Sequence, residues 1–410
     1  MKQTLVLIAL AVTWVADPLT AQRPAPPQPG ARAGVASPYF PERFGWEHKK
    51  PEEVGMDPAQ IAEAVKVSID RENPASRDLS LALATSFGRN EPFDTPIGPV
   101  KPRGPAGGII ARHGYIVAEW GEPNRVDMTF SVTKTFLTTV IGLAWARGLI
   151  HDVNDYARDY MPPGVDLFEA PHNQNIKWDH LLRQTSDWQG TLWGKPDWAD
   201  RPEGEPAQWP NRKLWEPGTH YKYNDVRVNV MALAALHVWR RPLPDVLRTE
   251  IMEPIGASST WRWFGYDNAW VEIDGQKMQA VGGGGHWGGG MFINAYDMAR
   301  FGYLFLRNGR WKDRQLVSEK WIQMARTPGP ANPGYGYANW FLNTAKKALP
   351  SAPASAVYFE GNGANVIYID WENDVVAVVR WISGSGALND FVGRILASLK
   401  PASTASPAGR

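Results

Sequence analysis

The sequence predicts an α/β protein of the α+β type: an antiparallel sheet built from both ends of the chain, flanked by helices, with a mostly helical segment inserted between. Two apolar hairpin patterns carry this reading, one near residue 110 and one near residue 370. The stretch between them reads as helix or loop. At 410 residues the chain is long enough for two to three domains, or for one domain with a large insertion.

The elements follow in order. Residues 1–21 read as a secretory signal peptide: Lys2, an apolar run from Thr4 to Ala16 too short to span a bilayer, and Leu19-Thr20-Ala21 as a small-residue cleavage site. Export to the periplasm or the exterior is therefore expected, with no stable membrane insertion after cleavage. Residues 22–41 hold six prolines among Ala and Gly and read as a flexible spacer, and 401–410 as a similar tail. The sheet-containing part is expected over 42–125 and 280–400, and the helical insertion over 126–279.

Asp57-Pro58 is an N-cap with proline at the first helical position, and Ile61, Ala64, Val65 and Ile69 fall on one face of a helix running to about Arg71. Ile109–Ala111 and Tyr115–Val117 flank His113-Gly114 as a hairpin. Ser131 to Arg147, stopped by Gly148, and Val226 to Trp239 read as helices. Val366–Ile369 and Val375–Trp381 around Glu372-Asn373-Asp374 form the second hairpin, and Leu388 to Leu399 a closing helix.

Composition removes several function classes. Lys plus Arg is 43 against 42 for Asp plus Glu, a net charge of +1, which offers no basic field for a nucleic-acid backbone. With no cysteine, thiol catalysis, disulfides and thiolate metal sites are excluded. The histidines show no metal-ligand spacing, so no metal and no cofactor are expected. The glycine run from Gly282 to Gly290 lacks a preceding strand and reads as a close-packed loop rather than a dinucleotide site. No Gly-x-Ser-x-Gly elbow is present.

The chemistry points to Phe130-Ser131-Val132-Thr133-Lys134. Three residues apart at a helix start, Ser131 and Lys134 share a face. A lysine desolvated by burial can take a proton from the serine hydroxyl, while the helix N-terminus stabilises developing negative charge. Alone, a Ser-x-x-Lys string is also compatible with a capping serine beside an exposed lysine. A second polar cluster, Pro217-Gly218-Thr219-His220-Tyr221-Lys222-Tyr223-Asn224-Asp225, runs into the next helix, where Asp225 is also a natural N-cap.

Together these motifs resemble the penicillin-recognising serine hydrolases, in the branch of class C β-lactamases, related esterases and 6-aminohexanoate-dimer hydrolase. The resemblance spans about residues 46–399. It implies a β-lactamase/transpeptidase-like fold, with Ser131, Lys134 and Tyr223 as catalytic residues, Asp225 standing where the family has Asn, and Gly361-Asn362-Gly363 at the third motif. Gly361 there replaces the family's Lys or His, a cation that helps hold a substrate carboxylate, which weakens the case for antibiotic hydrolysis. The backbone amides of Ser131 and Ala364 would form the oxyanion hole. Asp225, Gly361, Asn362, Gly363, Trp188 and Trp193 are the expected substrate contacts, the two tryptophans on the reading that the proline- and tryptophan-rich stretch from Trp188 to Trp215 roofs the pocket; the other reading is that its rings pack against the helical part without touching substrate. Tyr223 has to fall below its usual pKa of about 10, through Lys134, to act as a base. His180 to Asp187 resembles a family helix segment, with Asp187 in place of Gly, and is assigned a structural role.

The expected activity is hydrolysis of a small-molecule carboxylic ester or linear amide. Alternatives are a β-lactamase or D-peptide-processing enzyme, or an inactive cell-envelope binding protein of the same fold. No obligate protein partner is implied.

Overall fold

The computed structural model describes residues 38–93 and 95–399. The expected signal peptide, most of the spacer and the C-terminal tail lie outside them. A six-stranded antiparallel sheet runs in the order Phe341–Leu342, Val357–Gly361, Asn365–Asp370, Val375–Arg380, Gly107–Arg112, Tyr115–Trp120. Both expected hairpins are present. They join through Gly107–Arg112 against Val375–Arg380, with Gly107 opposite Arg380 and Arg112 opposite Val375, so the two ends of the chain form one sheet. The architecture is the α+β, β-lactamase/transpeptidase-like fold.

The strand Val375–Arg380 shows why the sheet is two-sided. All six of its residues are buried, and successive side chains point to opposite faces. Val376 and Val378 enter one apolar cluster, while Val375, Ala377 and Val379 enter another. The second cluster lies under the terminal helices Pro58–Asp70 and Gly384–Ala397, which pack on each other. Asp57 caps the first, its carboxylate accepting from the Ala59 and Gln60 amides. The closing helix begins about four residues earlier than its apolar spacing suggests, because Gly384-Ser385-Gly386 carries no apolar signal.

On the other face, Ala295–Leu306 packs on the central strands, and beyond it lies the helix Thr133–Ala146. Every residue from Thr133 to Ala144 is buried, the mark of a helix enclosed on all sides rather than amphipathic. It packs against Asp225–Trp239. Arg380, buried at the end of its strand, ties sheet to helix start: its guanidinium donates to Met128 O at 3.1 Å, to Ile293 O at 2.7 Å and to Asn365 Oδ1 at 3.0 Å. Among the described residues no helix is long and apolar enough to cross a membrane.

Gly142 is where the serine-bearing helix meets Trp321. A Cβ there would lie 2.6 Å from the indole Cδ1, so the ring would have to move. Gly142→Ala should destabilise the fold by about 1–3 kcal/mol, the usual cost of overpacking, despite alanine's better helix propensity. An unchanged or raised Tm in thermal unfolding would contradict this packing.

Candidate active site

Ser131 does not lie in the first α-helical turn. It sits in a 3₁₀ turn, Phe130–Val132, that leads into the helix from Thr133. Phe130 has φ +51°, a left-handed conformation uncommon outside glycine. It is held there by burial and by an edge-on contact with Trp381 at 6.4 Å. This bend precedes the serine at the floor of a cleft of about 440 Å³, also lined by Tyr223, Asp225, Arg201 and Gly361 to Ala364.

Lys134 is completely buried; its Nζ donates to Ser131 Oγ at 2.9 Å and to Asp225 Oδ1 at 2.5 Å. The pair is thus a buried ion pair with the serine hydroxyl on the same ammonium. Burial lowers the Lys134 pKa, and Asp225 only partly offsets this. For Asp225 burial acts upward, but Lys134, His286 and Arg201 outweigh it and hold the carboxyl below its ordinary range.

Asp225 is not the helix cap that its position suggests. Asn224 takes that role, its side chain accepting from the Arg227 amide at 3.0 Å, and this frees the Asp225 carboxylate for Lys134. Its own amide donates to the buried carboxylate of Asp200.

Tyr223 is half-buried at the cleft wall, its ring 4.7 Å from Lys134 Nζ. The expectation that Lys134 depresses its pKa is not met. Burial and then Asp225 push it far above 10, against weaker downward pulls from Arg201 and Ser131. A phenol in this setting stays protonated. Tyr221 is not among the residues lining the cleft; both tyrosines pack edge-on against Tyr335, Tyr221 at 5.2 Å and Tyr223 at 6.2 Å.

Gly361, Asn362, Gly363 and Ala364 all line the cleft. Gly361 is pressed against the serine turn: a Cβ would collide with Thr129 O and lie 3.0 Å from Ser131 N. The approach requires glycine for space.

Trp188 and Trp193 do not line the cleft. Trp188 is buried with its indole N–H on Leu167 O at 2.6 Å, and Trp193 packs edge-on against Tyr266 at 5.8 Å. Ring packing within the insertion orders this stretch, helped by Asp187, whose carboxylate accepts from Arg212 at 2.8 Å and Arg227 at 2.6 Å. Asp187 has φ +45°, a conformation glycine adopts freely. What the stretch does send into the cleft is Arg201, its guanidinium between the rings of Phe87 at 5.1 Å and Tyr223 at 5.0 Å.

Two further contributors had no local signal. The glycine run closes over the ion pair: a Cβ on Gly284 would collide with Lys134 Nζ and Asp225 Oδ2. From the same run His286 meets Glu91 at 2.6 Å and lies 3.7 Å from Asp200. Glu91, Asp200 and His286 gather donors of the kind that hold metals. Their oxygens already accept from the Arg201 amide and guanidinium, the Asp225 amide and His286, so the trio reads as a buried hydrogen-bonded network. Its members come from three distant segments, which no sequence spacing reveals.

A β-lactamase family profile matches residues 108–390. The chain belongs to the β-lactamase family. Among solved structures it is similar to a penicillin-binding protein homologue from Caulobacter crescentus (TM-score 0.55, 15% identity, covering 84% of this chain and 99% of the other). It is also similar to a family VIII carboxylesterase (TM-score 0.54, 15% identity, 83% and 97%). A third is EstCE1, described as a hydrolase with promiscuous acyltransferase activity (TM-score 0.53, 16% identity, 83% and 98%). No curated protein matches the chain. At these identities the structural likenesses concern the fold.

The depressed Asp225 pKa gives a stability signature. A carboxyl whose folded pKa lies below its unfolded value of about 3.9 contributes stability that is complete above that value and is lost as pH falls through the folded pKa. Between pH 6 and pH 3 the Tm of the wild type should therefore fall more steeply than that of Asp225→Asn. Parallel Tm curves would show that Asp225 is not held as the charged partner.

Proposed function

We propose that this chain is a serine hydrolase that cleaves a carboxylic ester or a linear amide through an acyl-enzyme on Ser131. The observation that carries the reading is the Lys134 ammonium, wholly buried and 2.9 Å from the Ser131 hydroxyl at the base of an open cleft. Deprotonated, Lys134 accepts the serine proton as Ser131 attacks the carbonyl. The Ser131 amide and an amide of the 361–364 turn, Ala364 in the sequence reading, hold the oxyanion, with the helix start adding to the favourable field.

Tyr223 acts as a neutral phenol, passing a proton toward the leaving group rather than serving as a phenolate base. Water then releases the acyl group. The likeness to a family VIII carboxylesterase agrees with ester chemistry, and that to EstCE1, a hydrolase with promiscuous acyltransferase activity, with an acyl-enzyme. A β-lactam is a poorer fit because Phe359-Glu360-Gly361-Asn362-Gly363 supplies no cation to hold its carboxylate. Export remains part of the proposal and rests on residues 1–21.

Ser131→Ala and Lys134→Ala should each abolish turnover of a p-nitrophenyl short-chain ester with circular dichroism unchanged. Ser131→Ala within tenfold of the wild type would reject the mechanism. Tyr223→Phe should lower kcat by about a hundredfold, the scale of lost proton-transfer assistance, while Tyr221→Phe changes it little; the reverse order would move the role to Tyr221. On kcat/KM the short-chain ester should exceed nitrocefin, and the opposite ranking would refute the argument from the missing cation.

A further inference from the structure

The charged groups around the cleft are almost all spoken for. Lys134 is paired with Asp225, Arg201 with Asp200, and His286 with Glu91. Glu360 is different. It lines the cleft as the penultimate residue of Val357–Gly361, yet no cation among the described residues forms an ion pair with it. Burial alone displaces its pKa, and it does so upward, as expected of a carboxyl with no compensating charge. A desolvated carboxylate without a partner is costly, and a cationic ligand group would relieve that cost.

Two placements define what such a ligand looks like. Glu360 immediately precedes Gly361, the residue pressed against Ser131 N, and adjacent Cα atoms are about 3.8 Å apart. Glu360 and Ser131 line the same cleft, so one substrate lying in it meets both. Phe341 lines the same cleft, half-buried and stacked on Tyr358 at 5.2 Å, whereas Phe87 already carries the Arg201 guanidinium; aromatic faces attract cations.

We infer that Glu360 and the Phe341 ring form a subsite for a protonated or quaternary amine, making the preferred substrates esters or amides that carry a cationic group a few bonds from the scissile carbonyl. The inference rests on the hydrolase reading above and names its substrate class. A carboxylate placed there would face Glu360 and be repelled.

The test compares p-nitrophenyl hexanoate with its ω-amino and ω-carboxy analogues, which vary charge on the acyl side. Acetylcholine against its uncharged isostere 3,3-dimethylbutyl acetate varies it on the alcohol side. In wild type the cationic member of at least one pair should be favoured about tenfold in kcat/KM, the scale of one partly buried charge pair, and the ω-carboxy ester should be the poorest of its series. Glu360→Gln should bring the cationic-to-neutral ratio near one, and Glu360→Lys should invert the order of the ω-amino and ω-carboxy esters. A wild-type ratio near one in both pairs, or a preference that survives Glu360→Gln, overturns the subsite while leaving Ser131-dependent turnover of neutral esters intact. If no ester is turned over, the hydrolase reading fails separately, and binding decides the subsite. Hexylammonium should then raise the wild-type Tm more than hexanoate does, with the difference lost in Glu360→Gln; equal shifts in wild type overturn it.

Discussion

The buried Lys134–Asp225 pair is the constraint on which the rest of the site depends. Taking an ammonium and a carboxylate out of water is costly, and only close mutual contact with further hydrogen bonds offsets it. The surrounding structure supplies both. Asn224 takes over the helix cap, Asp200 receives the Asp225 amide, and Gly284 leaves room above the pair. Among the described residues the Ser131 hydroxyl is the one uncharged hydrogen-bond partner of the ammonium. In the proposed mechanism its reactivity is set by the same balance that keeps the pair together.

In the proposed mechanism that balance also distinguishes the roles. Burial draws Lys134 toward losing its proton, while Asp225 draws it back. Tyr223 lies beside the pair, where burial and the Asp225 charge act together to keep the phenol neutral. The titratable group suited to accept the serine proton is thus the amine. An aspartate at position 225, where the family resemblance implies asparagine, adds a full charge to this balance.

Much of the scaffold was legible because its signals are local. The valine-rich strand at 375–380, the turn residues at 113–114 and the Asp57-Pro58 start each depend on neighbours in sequence, and so does the Ser131–Lys134 spacing. Legibility ended where contacts are distant. Arg201, His286 and Glu91 come together from three segments, and no spacing links them to Ser131. At position 225 two local rules competed: aspartate is a good cap, but Asn224 before it is equally good, and the ion pair with Lys134 decided which residue caps. The tryptophans at 188 and 193 gave a compositional signal without direction. Their rings turn inward, where apolar area is buried, leaving an arginine of the same stretch to face the cleft.

The central claim is that Lys134, tuned by Asp225, activates Ser131. Its most direct test is the pH dependence of fluorophosphonate labelling, with the modified residue identified by peptide mass spectrometry, in wild type and in Asp225→Asn. The account predicts labelling on Ser131 that rises with pH as Lys134 loses its proton. Because Asp225 raises the Lys134 pKa, the rise should move to lower pH in Asp225→Asn. A label on another residue, or a rise that stays in place or moves to higher pH in the variant, would contradict it.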